Sequence, residues 1–80
     1  MTSRRVNEAI IHFEKVLSIN PDEISSLMNL STCYRQKGQI IKAAALLEKA
    51  LSVAQSGGDE NHVHEIEEML GNLNRTQESH

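Results

Sequence analysis

The sequence predicts an all-α fold: a solenoid of antiparallel helices with half a repeat, one full repeat and a C-terminal capping helix. The first observation is an internal repeat, because five residues from Ala9 to Ser18 recur 34 positions later, from Ala43 to Ser52. The second is that apolar residues follow the i, i+3, i+4 spacing of helices, and the third is that Pro or Gly separates the apolar segments. A fixed repeat of this length is typical of solenoids, in which each unit packs on its neighbours.

The first two helices are predicted from their apolar faces and from the turn between them. The first, over residues 4–20, has one apolar stripe, formed by Ala9, Ile10, Phe13, Val16 and Leu17. The second is predicted from about Pro21 to Lys37, because proline suits the first turn of a helix and Asn20 can cap it. Its inward positions are Ile24, Leu27, Leu30, Ser31 and Tyr34.

Glycines mark the two remaining breaks. Gly38 favours a left-handed helix stop, and a third helix follows over residues 40–55. Its small side chains permit a close helix contact, above all at Ala43. The run Ser56-Gly57-Gly58-Asp59 is the clearest break in the chain. A fourth helix is predicted from about Glu60 to Leu73, capped by Asp59 or Asn61, with an apolar inner stripe and a polar outer face that suit the end of a solenoid.

These elements predict one domain over residues 1–80. Residues 4–20 form the second helix of a partial repeat, residues 21–56 form the full repeat, and residues 59–74 form the capping helix. Residues 75–80 are predicted to be a flexible tail, because they are polar and lie at a terminus.

The repeat resembles the tetratricopeptide repeat, a helix–turn–helix unit of 34 residues. Leucine replaces the usual aromatic residue at positions 27 and 47, and Gln55 stands where that family has proline. The resemblance covers roughly residues 6–55 and implies a habit of binding peptides or proteins, not one activity. The residues that carry it are Leu27, Leu30, Ser31, Tyr34, Gly38, Ala43, Leu47 and Ala50, preceded by Ala9, Phe13, Val16 and Pro21.

Composition and charge exclude several function classes. The chain has 80 residues, one cysteine and a net charge of −3, with no basic stripe, so nucleic-acid binding is not expected. No apolar run is long enough for a membrane span and no signal peptide opens the chain, which favours a cytoplasmic protein. Residues 51–80 hold six of the eleven acidic side chains but only one of the eight basic ones. This acidic third is either a solvated cap face or a patch that steers a basic partner.

No catalytic or metal-binding pattern is present in the sequence. His62 and His64 are two residues apart, so on a helix they point to nearly opposite sides, and there is no cysteine cluster to complete a zinc site. Cys33 is expected to be a small buried residue and Tyr34 a core aromatic whose hydroxyl reaches the surface. We therefore expect a non-enzymatic protein with no cofactor and no metal.

The resemblance implies a binding surface on the concave side, which the first helix of each unit lines. Asn29 matches the asparagine with which chaperone-tail-binding members contact a peptide. The basic residues of their carboxylate clamp are missing, because Asp59 and Val63 occupy the matching places, so that specific activity is not expected. The predicted peptide- or protein-binding residues are Ser25, Met28, Asn29, Thr32, Arg35 and Gln36.

Two functions remain open. One is a protein-interaction module that holds a peptide or helix in its groove. The other is self-assembly into a homodimer through Ile10, Phe13 and Leu17, because no helix before the first one is available to cover its apolar stripe. The same pattern is also expected in a piece of a longer repeat scaffold.

Overall fold

Four helices make up the fold. A computed structural model describes residues 4–78, with side-chain surroundings for residues 4–75. The helices are α1 (Arg4–Ile19), α2 (Ile24–Gln36), α3 (Ile40–Ser56) and α4 (Glu60–Glu78). Residues 4–78 contain no strand, which confirms the predicted all-α class.

Helix α2 begins later than the sequence predicts. Pro21 and Asp22 form a turn, which the Glu23 N–H closes by donating to the Asn20 carbonyl at 3.2 Å. Glu23 then caps α2, because its carboxylate accepts a hydrogen bond from the Ser26 N–H at 2.7 Å. The prediction of Asn20 as the cap was therefore wrong. Proline is equally well suited to the second position of a β-turn, and Pro21 takes that position in this chain.

The two glycine breaks have the same backbone structure. After α2, the Gly38 N–H donates to Arg35 and the Gln39 N–H to Tyr34, with Gly38 at φ 79°. After α3, the Gly58 N–H donates to the Gln55 carbonyl and the Asp59 N–H to that of Ala54, with Gly58 at φ 69°. Both are Schellman motifs, in which a residue in the left-handed region satisfies the last carbonyls of a helix. The predicted left-handed stop at Gly38 is confirmed.

Helix α4 continues past the predicted end at Leu73. It extends to Glu78, so most of the predicted flexible tail is helical, and residues 79–80 lie outside the described part of the chain. No proline or glycine follows Gly71 to stop the helix. The Arg75 guanidinium also donates to the Asn72 side-chain oxygen at 2.7 Å, one turn earlier on the helix. The prediction of a flexible tail, which was based on the polarity of these residues, is therefore wrong for residues 75–78.

The helices pack mainly in the order of the chain, with α1 on α2, α2 on α3 and α3 on α4. The Cα atoms span 38 × 32 × 16 Å, which is a flat arrangement. The main core lies among α2, α3 and α4. Its buried residues are Leu27, Met28, Ala43, Leu47, Ala50, Ala54, Ile66 and Leu73. Tertiary packing of this kind supplies most of the stability of helices this short.

Small buried side chains meet where α2 packs on α3. Ala43 is fully buried, and its carbonyl accepts a hydrogen bond of 2.9 Å from the buried Ser31 hydroxyl. The hydroxyl therefore has a partner inside the core, which removes the cost of burying a polar group. The predicted tight contact at Ala43 is confirmed.

A second, smaller cluster joins α1 to α2. It consists of Ile10, Leu30 and Cys33, with Val6, Ala9 and Phe13 among the half-buried residues packed against it. The Tyr34 hydroxyl donates to the Glu14 carboxylate at 3.0 Å and adds a polar link between the same two helices. The hydroxyl thus reaches the exposed side of the contact, as predicted for Tyr34.

Candidate interaction surfaces

A polar face runs along the outside of α2. Ser25, Asn29, Thr32 and Gln36 follow i, i+4, i+7, i+11 spacing and so form one stripe on the helix. All of them are exposed except Thr32, which is half-buried. Arg35 is exposed at the edge of this stripe. We call these five residues the α2 polar face.

Met28 does not belong to this exposed face. Its side chain is only 8% exposed and packs in the main core. Met28 was predicted as a binding residue, but burial leaves its side chain unavailable to a partner on this face. Thr32 is also less able to bind a partner, because its hydroxyl already donates to the Met28 carbonyl at 3.2 Å.

A narrow crevice lies beside the α2 polar face, where α2 meets α4. Arg35 and Thr32 line it on the α2 side, and Met69 and Leu73 line it on the α4 side. Its volume of about 10 Å³ leaves no room for a side chain of a ligand. A partner of the α2 polar face would therefore lie on the surface and would not insert between the helices.

The residues predicted for self-association are partly covered. Ile10 is only 7% exposed because α2 packs on it, whereas Phe13 and Leu17 are half-buried. The expectation that Ile10 lies open without an upstream helix is wrong, since it is buried in a cluster with Leu30 and Cys33 of α2. The exposed apolar residues of α1 are instead Ile11 and Ile19, which are 56% and 87% exposed.

An open groove lies on the side of α3 next to α1 and α2. Its volume is about 290 Å³, and its lining includes Leu30, Ala45 and Leu46. Tyr34 stands at its edge with the Lys42 ammonium 5.2 Å from the centre of the ring. Burial and the hydrogen bond to Glu14 raise the pKa of Tyr34, so the phenol stays protonated near neutral pH.

A larger groove lies at the turn between α3 and α4. Its volume is about 440 Å³. Buried Ala54 and half-buried Val63 form its apolar part, and Glu60 and His64 stand exposed along one side. The remaining lining residues are Gln55, Gly58 and Asp59. No residue of this groove was among the binding residues that the sequence predicted.

Charged groups hold the starts of α2 and α4 in place. The Asp59 carboxylate accepts from the backbone N–H of His62 at 3.2 Å and is also paired with the ring Nδ1 of His62. These hydrogen bonds lower the pKa of Asp59 and raise that of His62. At α2, the hydrogen bond from Ser26 lowers the pKa of Glu23. Of the two predicted caps for α4, Asp59 is the one that accepts this hydrogen bond.

Reactive chemistry is not favoured at the one cysteine. Cys33 is buried in the smaller cluster, and burial raises the pKa of its thiol. A raised pKa means less thiolate, which is the nucleophilic form. Among residues 4–78, no three His, Cys, Asp or Glu side chains are grouped to hold a metal ion.

The sequence matches one protein-family model over residues 2–74, that of the regulator of microtubule dynamics proteins 1-3. The chain belongs to this family. No curated protein and no solved structure matches the chain.

This match corrects the resemblance to the tetratricopeptide repeat. The matching model is that of the microtubule-dynamics regulators and not of a tetratricopeptide family. The misleading signal was the spacing of small and apolar residues around Gly38, because any family of short helices joined by tight turns requires such spacing. The absence of aromatic residues at Leu27 and Leu47 already departed from the tetratricopeptide pattern.

No single segment of the sequence indicated the groove between α3 and α4, because its lining residues come together only where the two helices meet.

None of the helices in residues 4–78 has the length and apolar character that crossing a membrane requires.

Proposed function

We propose that this chain is a non-catalytic protein-interaction module that presents the α2 polar face to a peptide or protein partner. The observation that carries the proposal is the unused hydrogen-bonding capacity of this face. Among the described residues, the side chains of Ser25, Asn29, Arg35 and Gln36 make no hydrogen bond or ion pair. Four neighbouring polar side chains without internal partners can all bind a partner at little cost to the fold.

The family indicates the process in which this surface acts. Its members are described as regulators of microtubule dynamics. We infer that the partner of the α2 polar face is a protein whose binding changes the growth or shortening of microtubules. A location in the cytoplasm, where microtubules assemble, fits this role.

We also propose that the four helices stack as a solenoid made of half a repeat, one full repeat and a cap. The packing of each helix on the next one along the chain supports this arrangement. The two equivalent Schellman turns, at Gly38 and Gly58, support it as well, because each reverses the chain in the same way.

The test is the rate of microtubule growth and the frequency of shortening events for purified tubulin with the chain added. The wild-type chain is expected to change at least one of them. Arg35→Ala and Asn29→Ala should each weaken the effect by about 1 kcal/mol of binding free energy, or about fivefold in concentration. Their melting temperatures should stay within about two degrees of wild type, because surface changes rarely alter stability by more than ~0.5 kcal/mol.

Two matched variants serve as controls. Lys49→Ala removes an exposed positive charge from α3, and Asn61→Ala removes an exposed amide from α4. Both should leave the effect on microtubules unchanged. The proposal is contradicted if the wild-type chain has no effect, or if the controls weaken it as much as Arg35→Ala and Asn29→Ala do.

A second candidate function is self-assembly into a homodimer through α1. The observation in its favour is the apolar surface that α1 leaves uncovered, because Ile11 and Ile19 are exposed and Phe13 and Leu17 are only half-buried. Light scattering after size-exclusion chromatography would then give a dimer, and Phe13→Glu would give a monomer. A wild-type chain that stays monomeric at hundreds of micromolar would rule this candidate out.

A further inference from the structure

The groove between α3 and α4 combines apolar surface with acidic rims. Ala54 and Val63 form the apolar part of this 440 Å³ groove, and the exposed Glu60 stands at its edge. Half-buried Leu51 lies one turn before Ala54 on α3, and half-buried Leu70 lies two turns after Val63 on α4. Glu67 is two turns beyond Glu60 on the same side of α4 and is also exposed.

Gly71 extends the same side of α4. Glu60, His64, Glu67 and Gly71 follow i, i+4, i+7, i+11 spacing, so they share one stripe of the helix. Gly71 has no positive φ, and a Cβ atom added there would meet no atom within 4 Å. Neither backbone geometry nor internal packing therefore requires a glycine at this point. A glycine in a helix interior weakens the helix, and one use of it is to let another backbone approach closely.

The charge of this region selects the kind of partner. From Glu60 to Leu73, α4 has four acidic side chains and no lysine or arginine. Glu60 and Glu67 make no ion pair with other described residues. A positively charged partner is attracted to such a rim, and a negatively charged one is repelled.

We propose that the groove between α3 and α4 is a docking site for a basic amphipathic helix of a partner protein. The apolar stripe of that helix packs on Ala54, Val63 and Leu70, and its lysine or arginine side chains lie against Glu60 and Glu67. Its backbone passes close to Gly71. This site is separate from the α2 polar face, because α2 contributes no residue to it.

The probe is a labelled helical peptide of leucine, alanine and lysine with one apolar stripe, and its control has glutamate in place of lysine. Fluorescence anisotropy gives the affinity of each for the full chain. The lysine peptide should bind at least about tenfold more tightly than the glutamate peptide. Equal binding of the two peptides, or no binding of the lysine peptide, overturns the proposal.

Two charge-reversal pairs locate the site. Glu60→Lys combined with Glu67→Lys should lower the affinity for the lysine peptide about tenfold, because both charges at the rim then repel the peptide. Glu65→Lys combined with Glu68→Lys makes the same change in net charge on another side of α4. This pair should lower the affinity for the lysine peptide less than about twofold. Equal weakening by the two pairs would mean attraction by net charge alone and would overturn the site.

Gly71→Leu tests the close approach independently of charge. A leucine side chain would stand where the partner backbone passes, so affinity for the lysine peptide should fall at least about tenfold. The melting temperature should not fall, because leucine favours the helix more than glycine does. Asn61→Leu, on another side of α4, is the control and should leave affinity unchanged. Unchanged affinity in Gly71→Leu would overturn the proposed path of the helix, and Arg35→Ala should not affect this peptide at all.

Discussion

The two ends of this molecule are packed by very different numbers of buried apolar residues. Eight buried residues fix α2, α3 and α4 to one another. Only three buried residues, Ile10, Leu30 and Cys33, form the cluster that fixes α1 to α2. Exposed Ile11 and Ile19 lie at the weakly packed end, whereas the acidic side chains of α4 lie at the well packed end.

This difference indicates that stability is unevenly distributed along the chain. Elements with few buried apolar contacts open at lower free-energy cost than the core does. We therefore expect α1 to detach from the other helices without unfolding them. The surfaces of α2 and α4 that we propose for binding belong to the part that stays folded.

The largest effect is expected at the centre of the main core. Leu47 is 1% exposed and packs in the main core among α2, α3 and α4. Leu47→Ala should lower the free energy of unfolding by ~2–5 kcal/mol, because it removes buried methyl groups and leaves a cavity. Urea unfolding followed by circular dichroism measures this change. A loss below about 1 kcal/mol would show that the main core is looser than its burial indicates.

Overpacking the contact between α2 and α3 should have the next largest effect. Ala43 has no exposed surface, and its carbonyl accepts from Ser31. Ala43→Leu should therefore cost ~1–3 kcal/mol, because the larger side chain forces the two helices apart. Ala45→Leu, at an exposed position of the same helix, is the control and should melt like wild type. Equal melting temperatures for Ala43→Leu and wild type would show that this contact has spare room.

A change in the smaller cluster should be milder and local. Ile10→Val removes one methylene from a residue that is 7% exposed, and should cost ~0.5–1.5 kcal/mol. The more telling measurement is hydrogen exchange, in which the amides of α1 should exchange faster while those of α3 keep their wild-type rates. Equal acceleration in α1 and α3 would mean that the two ends unfold as one unit, contrary to the comparison.

The smallest effect is expected from pH, at the start of α4. The pKa of His62 lies above its ordinary 6.5, so its pairing with Asp59 stabilises the fold fully below pH 6.5 and is lost as the pH rises through the raised value. The pKa of Asp59 lies below its ordinary 3.8, so its contribution is present above pH 3.8 and is lost as the pH falls through the lowered value.

The melting temperature of wild type relative to His62→Ala should therefore be highest at about pH 5, between the two ordinary values. Asp59→Asn keeps a side chain that can cap the helix but removes the charge. In that background, the effect of His62→Ala on the melting temperature should depend much less on pH, because only the weaker attraction of His62 to Glu65 and Glu23 remains. If the melting-temperature difference between wild type and His62→Ala stays constant between acidic and alkaline buffer, the charges of His62 and Asp59 do not contribute to stability.

The sequence predicted the helices well because their signals are local. Apolar spacing and Gly38 identified the end of α2, and Ala43 was correctly placed at a tight contact. The start of α2 was missed because Pro21 suits both a helix and a turn, and the Glu23 carboxylate that caps the helix was not recognised as the cap. The end of α4 was missed because polar residues suit an exposed helix as well as a tail.

Burial at the candidate surfaces was harder to predict because it depends on neighbouring helices. Met28 was expected to be exposed, but the main core includes it. Ile10 was expected to be open, but α2 covers it. The groove at Ala54 and Val63 arises only when α3 and α4 come together, so no segment of the chain indicates it alone.

The order in which the helices pack has a consequence for how quickly the chain folds. Most contacts join helices that follow each other in the sequence, through turns of only a few residues. Few long loops must close before favourable contacts form, and proteins with such local contacts fold on the order of microseconds to milliseconds. Because α2, α3 and α4 share most of the buried residues, we expect them to form the folding nucleus, with α1 docking last. During synthesis on the ribosome, α1 would then stay undocked until α2, α3 and α4 have folded, with Ile11 and Ile19 exposed to other proteins.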